Sequence, residues 1–395
     1  LQHVVLSPLN VFFRSLRTKG ALTPIDFDTA ETFGAARIED FTWKHLMDLD
    51  ACTRCGRCQD NCPAYLSGKA LSPKKVILDM KAHLYEVYPV PLITKPVEHR
   101  RDMITEVITE EAVWDCTTCR ACMQACPVYI EHIDKIVEMR RNLALERAQF
   151  PELAEQALRS LGARGHPWRG ATAGRTDWAA GLDLRVLSES SDVDMLYWVG
   201  CTAALDERNM RVSVNTAKIM QAAGVRFGIL GPEEVCCGEP ARKMGDEYLF
   251  QTLCRQNIEL FQRYGVKKIV ASCPHCFNTL KNEYPQFGGS FEVVHHSQLI
   301  ADLIRQGKLD LGSLNGMRAA YHDSCYLGRH NDVFDDPRSI LDSVGGIERV
   351  ELARSRLRSF CCGGGGGHMW MDEPPETRIN LRRVEDILKA RVDVV

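Results

Sequence analysis

The placement of cysteine constrains this chain more than any other feature of its sequence. Seventeen of the 395 residues are cysteine, and most of them lie within four positions of another cysteine. Disulfide frameworks belong mainly to short secreted proteins, whereas this chain is long. Cysteines spaced this closely converge on a metal more readily than they join distant loops. We therefore expect metal-bound thiolates in a reducing compartment rather than disulfides.

Two cysteine runs have the spacing of [4Fe–4S] cluster ligands. They are Cys52-x2-Cys55-x2-Cys58-x3-Cys62-Pro63 and Cys116-x2-Cys119-x2-Cys122-x3-Cys126-Pro127. Three cysteines in a tight turn can bind one cluster, while the fourth points away and binds the cluster of the other motif. This rule assigns Cys126 to the first three cysteines of the first motif, and Cys62 to the first three of the second. Structural zinc also uses four thiolates, but rarely in this run followed by proline, twice.

A different cysteine pattern occurs twice in the C-terminal half. The first copy consists of Cys201, Cys236, Cys237, Cys273 and Cys276, and the second begins with Cys325, Cys361 and Cys362. The spacing from the single cysteine to Cys-Cys-Gly is nearly the same in both copies. The second copy reaches Val395 without a closing Cys-x-x-Cys, so we expect the natural chain to continue there. The sequence as a whole begins at Leu1 rather than methionine, so we also expect residues upstream.

Hydrophobic periodicity divides the chain into a helical part and an α/β part. From residue 193 onward, short apolar runs alternate with helical stretches, which is typical of parallel sheets. Three of the predicted helices lie near Ile38–Asp48, over Asp134–Phe150 and over Pro274–Tyr284, and another begins at Ser72-Pro73. The predicted organisation is a lead-in segment at 1–50, a helical domain at 51–165, a linker at 166–192, and two repeated domains at 193–310 and 311–395.

Composition and charge restrict the partners and the chemistry. The net charge of −3 argues against a nucleic-acid partner, which would call for an extended basic face, so none is expected. No run of 18 apolar residues is present to cross a bilayer. Because the sequence also lacks dinucleotide, flavin and haem-attachment motifs, we expect transfer of single electrons rather than hydride chemistry.

The order of ferredoxin motifs, linker and two Cys-Cys-Gly (CCG) repeats resembles the D-type subunit of heterodisulfide reductase. It is similar to iron–sulfur subunits of glycolate oxidase, anaerobic glycerol-3-phosphate dehydrogenase and lactate-utilisation systems. The stretch between the ferredoxin motifs resembles the α-helical ferredoxin domain of succinate dehydrogenase. The implied fold class is α + α/β: an α-helical ferredoxin domain with two cubane [4Fe–4S] clusters, then two repeated α/β CCG domains with parallel sheets.

The resemblance also implies roles for the repeated cysteines. In this family a complete CCG set can hold a noncubane [4Fe–4S] cluster, whose adjacent cysteines bridge iron atoms. The complete and redox-active set implied here is Cys201, Cys236, Cys237, Cys273 and Cys276. The second copy contains only the opening residues of such a set, which are Cys325, Cys361 and Cys362. One or two noncubane clusters are therefore expected beside the two cubanes.

The first 50 residues resemble membrane-anchored family members proposed to pass electrons from electron-transfer flavoprotein to menaquinone. Those members carry a membrane domain with haem b upstream. This resemblance implies a position at the cytoplasmic face of the inner membrane, with electron-transfer flavoprotein or another flavoprotein dehydrogenase as partner. Two alternatives stay open. One is a disulfide reductase of the heterodisulfide reductase type, and the other is an electron-relay component of a soluble glycolate, lactate or glycerol-3-phosphate dehydrogenase.

The remaining candidates have structural interpretations that compete with functional ones. Gly363–Gly367 lacks the lysine of a phosphate loop, so we expect it to bring backbone close to a cluster and to turn at positive φ. Cys254 lies in an apolar helix and is expected to be a core thiol. Expected scaffold residues are His295, His296, His322, His368 and Trp370. Solvated surface positions are expected for Arg54, Arg57 and Arg120. The alternatives are that these arginines offset the charge of a cluster or contact an acidic partner.

Overall fold

A computed structural model describes residues 2–89, 101–168 and 174–395 of the chain. Residues 1, 90–100 and 169–173, which belong to the predicted lead-in, helical domain and linker, lie outside the described residues. Among the described residues, the regular elements are helices as far as residue 164, and strands alternate with helices after it. This arrangement agrees with the expected α + α/β fold class.

Short helices build the N-terminal part and hold the two ferredoxin motifs. They are α1 Gln2–Phe12, α2 Trp43–Ala51, α3 Arg57–Asp60, α4 Pro63–Leu66, α5 Pro73–Val87, α6 Glu110–Trp114, α7 Ala121–Ala125, α8 His132–Arg141 and α9 Glu152–Arg164. Helix α5 begins as predicted, because the Ser72 hydroxyl accepts a hydrogen bond from the Lys75 amide at 3.2 Å and Pro73 occupies the first turn. The two ferredoxin motifs thus lie between helix ends, with their cysteines in or beside short turns.

The lead-in segment differs from the prediction. The helix expected near Ile38–Asp48 is wrong in position, because Phe41 is extended and Thr42 caps α2 by accepting from the His45 amide. Helix α1 was not predicted, since it contains Pro8 and has little local helical signal. Tertiary contacts stabilise it instead: Asn10 is fully buried and donates to the Val128 carbonyl at 2.8 Å.

Asp48 ties the lead-in helices to the second ferredoxin motif. Its carboxylate accepts from Lys44 at 2.6 Å, from Asn10 at 2.8 Å, from the Glu131 amide at 3.0 Å and from buried Lys135. Burial alone would raise the pKa of Asp48, but the two ammonium groups hold that pKa well below its usual value. A single carboxylate therefore joins α1, α2 and α8.

The first α/β unit contains a five-stranded sheet that is parallel throughout, with strand order β1-β3-β2-β4-β5. Its strands are β1 Arg185–Val186, β2 Met195–Trp198, β3 Phe227–Ile229, β4 Lys268–Ala271 and β5 Glu292–His295. Its helices are α10 Cys201–Leu205, α11 Glu207–Ala222, α12 Glu239–Lys243, α13 Glu247–Arg263, α14 Pro274–Asn278 and α15 His296–Arg305. Cysteines follow the carboxyl ends of β2, β3 and β4, so one edge of the sheet gathers them.

Two local predictions need correction. The predicted linker contributes an edge strand, because Arg185–Val186 pairs with β3; a two-residue strand has no readable periodicity. The helices predicted over Asp134–Phe150 and Pro274–Tyr284 are α-helical only at their beginnings and end in π-helical turns at Asn142–Glu146 and Thr279–Glu283. A π turn inserts an extra residue that the apolar pattern does not signal.

The second α/β unit is smaller within the described residues. It comprises β6 Ser313–Ala320, α16 Asp335–Ser343, β7 Gly345–Val350 and α17 Ile379–Lys389. Strands β6 and β7 are parallel, and Val394 forms a further parallel bridge with Ala319. The expectation of parallel sheets in both repeats is therefore confirmed.

Arg140 in α8 connects the helical part with both α/β units. Its guanidinium is fully buried and donates to three carbonyl oxygens in the 113–116 stretch, at 2.7–3.0 Å. It also donates to the Lys243 carbonyl at 2.9 Å and to the Gly366 carbonyl at 2.8 Å. Among the described residues it makes no ion pair with a carboxylate. One side chain thus reaches into all three parts of the fold.

Replacing Asp48 by alanine is expected to lower the free energy of unfolding by about 3–5 kcal/mol, because it leaves two ammonium groups without their buried partner. Urea denaturation of D48A and wild type measures the difference. The matched control is Asp79→Ala, which breaks the more exposed pair with Lys75 and should cost about 0.5 kcal/mol or less. Equal losses for the two variants would contradict the role of Asp48.

Candidate metal centres

Four cysteines of the first predicted cluster line one small cavity. They are Cys52, Cys55, Cys58 and Cys126. Cys126 comes from the second motif, and its Sγ lies 3.4 Å from the Ile130 amide nitrogen, which donates to it. Burial, with the neighbouring thiols, raises the pKa of Cys58 to about 12. The geometry therefore brings together the set that the crossed assignment requires.

The second predicted set is more deeply buried. Cys62 from the first motif lies beside Cys116 and Cys119, and Cys122 is close to all three. Burial raises the pKa of Cys116 to about 11 and also holds the pKa of Cys62 well above its usual value. Such thiols stay protonated at neutral pH until a metal replaces the proton. Gly56 and Arg120 both adopt left-handed backbone at equivalent positions, so the two motif loops have the same turn.

The five cysteines of the first CCG set meet at the carboxyl edge of the five-stranded sheet. The Sγ atoms of Cys201 and Cys236 are 4.0 Å apart, and those of Cys237 and Cys276 are 3.5 Å apart. The Cys273 thiol lies beside that of Cys276. Contact with Cys236 and burial raise the pKa of Cys201. All five are thus close enough to share one metal cluster.

Glu234 positions this set and was missed by the sequence analysis. Its buried carboxylate accepts from the amides of Val199 at 3.2 Å and Gly200 at 2.8 Å, and pairs with Arg175 at 2.9 Å. Gly200 has φ of 81°, and a Cβ there would lie 3.4 Å from the Sγ of Cys276. The carboxylate fixes the turn just before Cys201. No local pattern distinguishes Glu234 from a surface glutamate.

The second CCG set lies against the second ferredoxin set. Cys361 contacts both Cys325 and Cys119, and its Sγ is 3.5 Å from the Thr117 hydroxyl oxygen. Contact with Cys361 and burial raise the pKa of Cys119. Cys362 is exposed at the edge of this set. The two thiol groups are therefore direct neighbours, which sequence spacing did not predict.

An aromatic pair separates the two CCG sets. His275 packs on Tyr326 with ring centroids 4.2 Å apart, and its Nδ1 lies 2.9 Å from a Glu239 carboxylate oxygen. Burial lowers the pKa of His275, but the Glu239 carboxylate outweighs it and raises that pKa to about 9. The Tyr326 hydroxyl lies 2.7 Å from that of Thr118, within the second ferredoxin motif. This pair links the surroundings of both sets.

Comparison with known proteins places these features in one family. The cysteine-rich CCG domain profile matches residues 195–281 and 319–395, and the 4Fe-4S dicluster domain profile matches residues 48–130. The D-type subunit of the dihydromethanophenazine:CoB–CoM heterodisulfide reductase of Methanosarcina barkeri is 31% identical over 90% of this chain and 88% of its own length. The chain belongs to the CCG-domain iron–sulfur oxidoreductase family that includes this Methanosarcina protein.

Two longer relatives are more similar in sequence. The EtfAB:quinone oxidoreductase of Syntrophomonas wolfei is 43% identical over 98% of this chain, and a probable membrane-anchored ferredoxin of Chromohalobacter salexigens is 40% identical over 95%. The chain spans 58% of the length of each of these two proteins. The expected family is therefore confirmed, and the protein is an iron–sulfur oxidoreductase.

Iron–sulfur clusters fit the charge distribution of these sites. Arg329 is buried, donates to the carbonyls of Cys119 at 2.8 Å and Ser359 at 2.6 Å, and leaves its Nη2 without a hydrogen-bond partner in the described residues. Arg140 is equally buried beside Cys116 without a carboxylate partner in that part of the chain. An unpaired buried guanidinium is costly, and anionic thiolate-ligated iron would supply the missing counter-charge.

The other predicted residues have the following positions. The glycine run turns at positive φ at Gly363, Gly366 and Gly367, and a Cβ at Gly366 would lie 2.2 Å from the Cys116 carbonyl oxygen, so close approach is confirmed. Cys254 is fully buried in α13, as predicted. Arg54 and Arg57 are exposed, whereas Arg120 is half-buried, which corrects its predicted surface position.

The histidines contact backbone and neighbouring side chains rather than the thiols. His295 lies 3.0 Å from the Ser272 carbonyl oxygen, next to Cys273, and burial lowers the pKa of His296 to about 4. The Nδ1 of His322 accepts from Arg383 at 3.0 Å. His368 lies 2.7 Å from Glu373, and Trp370 packs edge-on against Trp168. These contacts agree with the structural interpretation.

Crossed ligation predicts which variants resemble one another. Cys126→Ser should lose about four iron atoms per chain and the same electron paramagnetic resonance signal as Cys52→Ser, because both alter one cluster. Cys62→Ser should instead match Cys116→Ser. The control is Cys254→Ala, which should keep the full iron content. If the Cys126 variant lost the signal that Cys116→Ser loses, the crossed assignment would be wrong.

Proposed function

We propose that this protein relays single electrons from reduced electron-transfer flavoprotein to membrane menaquinone. The observation that carries the proposal is that neighbouring cysteine sets adjoin one another. Cys126 of the second motif lies with the first set, and Cys62 of the first motif lies with the second set. Cys119 of the second set in turn contacts Cys361 of the second CCG set. The name of the Syntrophomonas relative, an EtfAB:quinone oxidoreductase, supports this donor and acceptor. The ligands in this proposal are the sixteen cysteines of the four sets, every cysteine except Cys254.

The proposed cofactors are two cubane [4Fe–4S] clusters and one or two noncubane clusters at the CCG sets. When bound, such clusters accept and release one electron at a time. The flavin hydroquinone of the donor gives up two electrons in succession, and menaquinone takes up two electrons and two protons to form menaquinol. In this proposal quinone is reached through a membrane domain with haem b, outside these 395 residues. The chain's own part is to bury the thiols and to balance their charge with Arg140 and Arg329.

An exposed apolar surface near the N-terminus supports a position at the membrane. This N-terminal apolar patch consists of Val5, Leu9, Phe12, Phe13, Leu16 and Trp43. Phe12 is 78% exposed and Leu16 is 86% exposed. Exposed apolar groups in this number indicate contact with another apolar surface. No helix in the described part of the chain is long and apolar enough to span a bilayer. The patch therefore suits contact with a membrane surface or with protein embedded in it.

A disulfide reductase is the second candidate, and one observation favours it. Exposed Cys362 opens into a surface cavity of about 260 Å³ that is also lined by His368 and Arg378. A disulfide in this cavity would take up two electrons and two protons and leave as two thiols. The named activity of the Methanosarcina relative is consistent with this chemistry.

Anaerobic mixing with reduced electron-transfer flavoprotein distinguishes the two candidates. The proposal expects partial bleaching of the visible cluster absorbance, followed by recovery when a soluble menaquinone analogue and a haem-containing membrane fraction are added. Dithionite provides the fully bleached reference. Absence of bleaching by the flavoprotein, together with reoxidation of the dithionite-reduced protein by a disulfide, would replace the relay by the reductase.

Membrane contact predicts binding to phosphatidylglycerol-containing vesicles through the N-terminal apolar patch. The double variant Phe12→Ser/Leu16→Ser should bind at least about a hundredfold more weakly in co-sedimentation, because burying each of the two large apolar side chains contributes roughly 1.5–3 kcal/mol. The control Val212→Ser/Leu388→Ser alters exposed apolar residues of α11 and α17 and should bind like wild type. Unchanged binding by the first variant would remove the patch from the proposal.

A further inference from the structure

A basic cleft lies between the ferredoxin motifs and the segment that leads to Cys361. It has a volume of about 420 Å³ and is lined by residues of α3, α7 and the 354–360 stretch. The residues that matter here are Arg57, Asp60, Arg354, Leu357, Arg358 and Phe360. We call it the arginine cleft.

The arginine cleft carries a net positive charge. Arg354 pairs with Asp386 and stacks over the Phe360 ring at 3.8 Å. Arg57 and Arg358 are exposed and make no ion pair with any described residue, and Asp60 is the acidic residue in the lining. Two exposed guanidinium groups therefore face solvent without a partner from the described part of the chain.

The lining of the cleft is adjacent in sequence to ligands of three cysteine sets. Arg57 precedes Cys58, Asn61 precedes Cys62, Ala121 precedes Cys122, and Phe360 precedes Cys361; all four preceding residues line the cleft. Both ferredoxin sets and the second CCG set thus lie directly behind one surface. An electron that arrives at this surface has a short distance to travel to a cluster.

We propose that the arginine cleft is the docking surface for the acidic face of the flavoprotein that donates electrons. This inference rests on the relay function proposed above and adds the site of electron entry. Arginines around an exposed apolar residue, here Leu357 at 41% exposure, are the composition that protein interfaces favour. Charge complementarity raises the rate of encounter, and the ligands behind the cleft keep the path to the clusters short.

A small anion explains the cleft less well than a protein surface. Arg57 and Arg358 are both solvent-exposed, so a small ligand would gain little from each guanidinium in water. A protein partner engages Arg57, Arg358 and Leu357 together and excludes water from all three. The open cleft suits such a broad contact.

Stopped-flow reduction by electron-transfer flavoprotein hydroquinone at several salt concentrations tests the docking surface. The wild-type second-order rate constant should fall as salt increases, and Arg57→Glu/Arg358→Glu should react about tenfold or more slowly at low salt with a flattened salt dependence. The matched control Arg211→Glu/Lys218→Glu reverses two exposed charges on α11 and should behave like wild type. Dithionite reduction and iron content establish that the clusters are intact in each variant.

Arg57 lies beside a cluster ligand, so the double variant could lose iron. In that case the single variant Arg358→Glu replaces it. This single variant should lower the second-order rate constant by a smaller factor than the double variant. Equal rates for wild type and cluster-intact cleft variants would overturn the docking surface while leaving the relay function standing. Failure of the flavoprotein to bleach wild type would overturn both. Loss of binding to phosphatidylglycerol vesicles at an unchanged reduction rate would mean that the cleft faces a membrane, and would also overturn the proposal.

Discussion

The fold depends on a buried positive charge that has no carboxylate partner among the described residues. Arg140 donates to five carbonyl oxygens drawn from the helical part and from both α/β units. Gly245 allows this packing, since a Cβ there would lie 2.4 Å from the Arg140 carbonyl oxygen. Carbonyl dipoles satisfy the hydrogen bonds, but they do not neutralise the charge. Anionic cysteine-ligated iron next to Cys116 would complete the electrostatic balance, and the stability of the three-part core would then be coupled to the metal.

The two CCG units have diverged in what surrounds their cysteines. The first unit supplies five cysteines at the edge of a complete parallel sheet, fixed by the carboxylate of Glu234. In the second unit Cys361 contacts Cys119, a thiol from the helical part. The second CCG set therefore lies directly against the second ferredoxin set. His275 and Tyr326 fill the space between the sets, with Glu239 compensating the charge of the histidine.

Sequence reasoning succeeded where short-range spacing determines the structure. The parallel sheets follow from the alternation of strands and helices. The structure also places Cys126 near the thiols of the first motif and Cys62 near those of the second, while the crossed ligation of clusters stays a prediction. Sequence reasoning failed where distant contacts decide: α1 contains Pro8 and forms because Asn10 meets Asp48 and Val128. The positions of Arg140, Arg329 and His275 also had no local signal. Their roles depend on which backbone carbonyls and thiols the folded chain brings beside them.

The contact between the glycine run and the second ferredoxin motif has a consequence for biosynthesis. Gly366 lies against Cys116, although most of the α/β part separates them along the chain. At about 5–20 residues per second, the glycines leave the ribosome roughly 12 to 50 s after the cysteines that they cover. For at least that interval, the glycine run cannot cover the second cysteine set. Access to these thiols from that side therefore ends only after nearly all of the α/β part has been made.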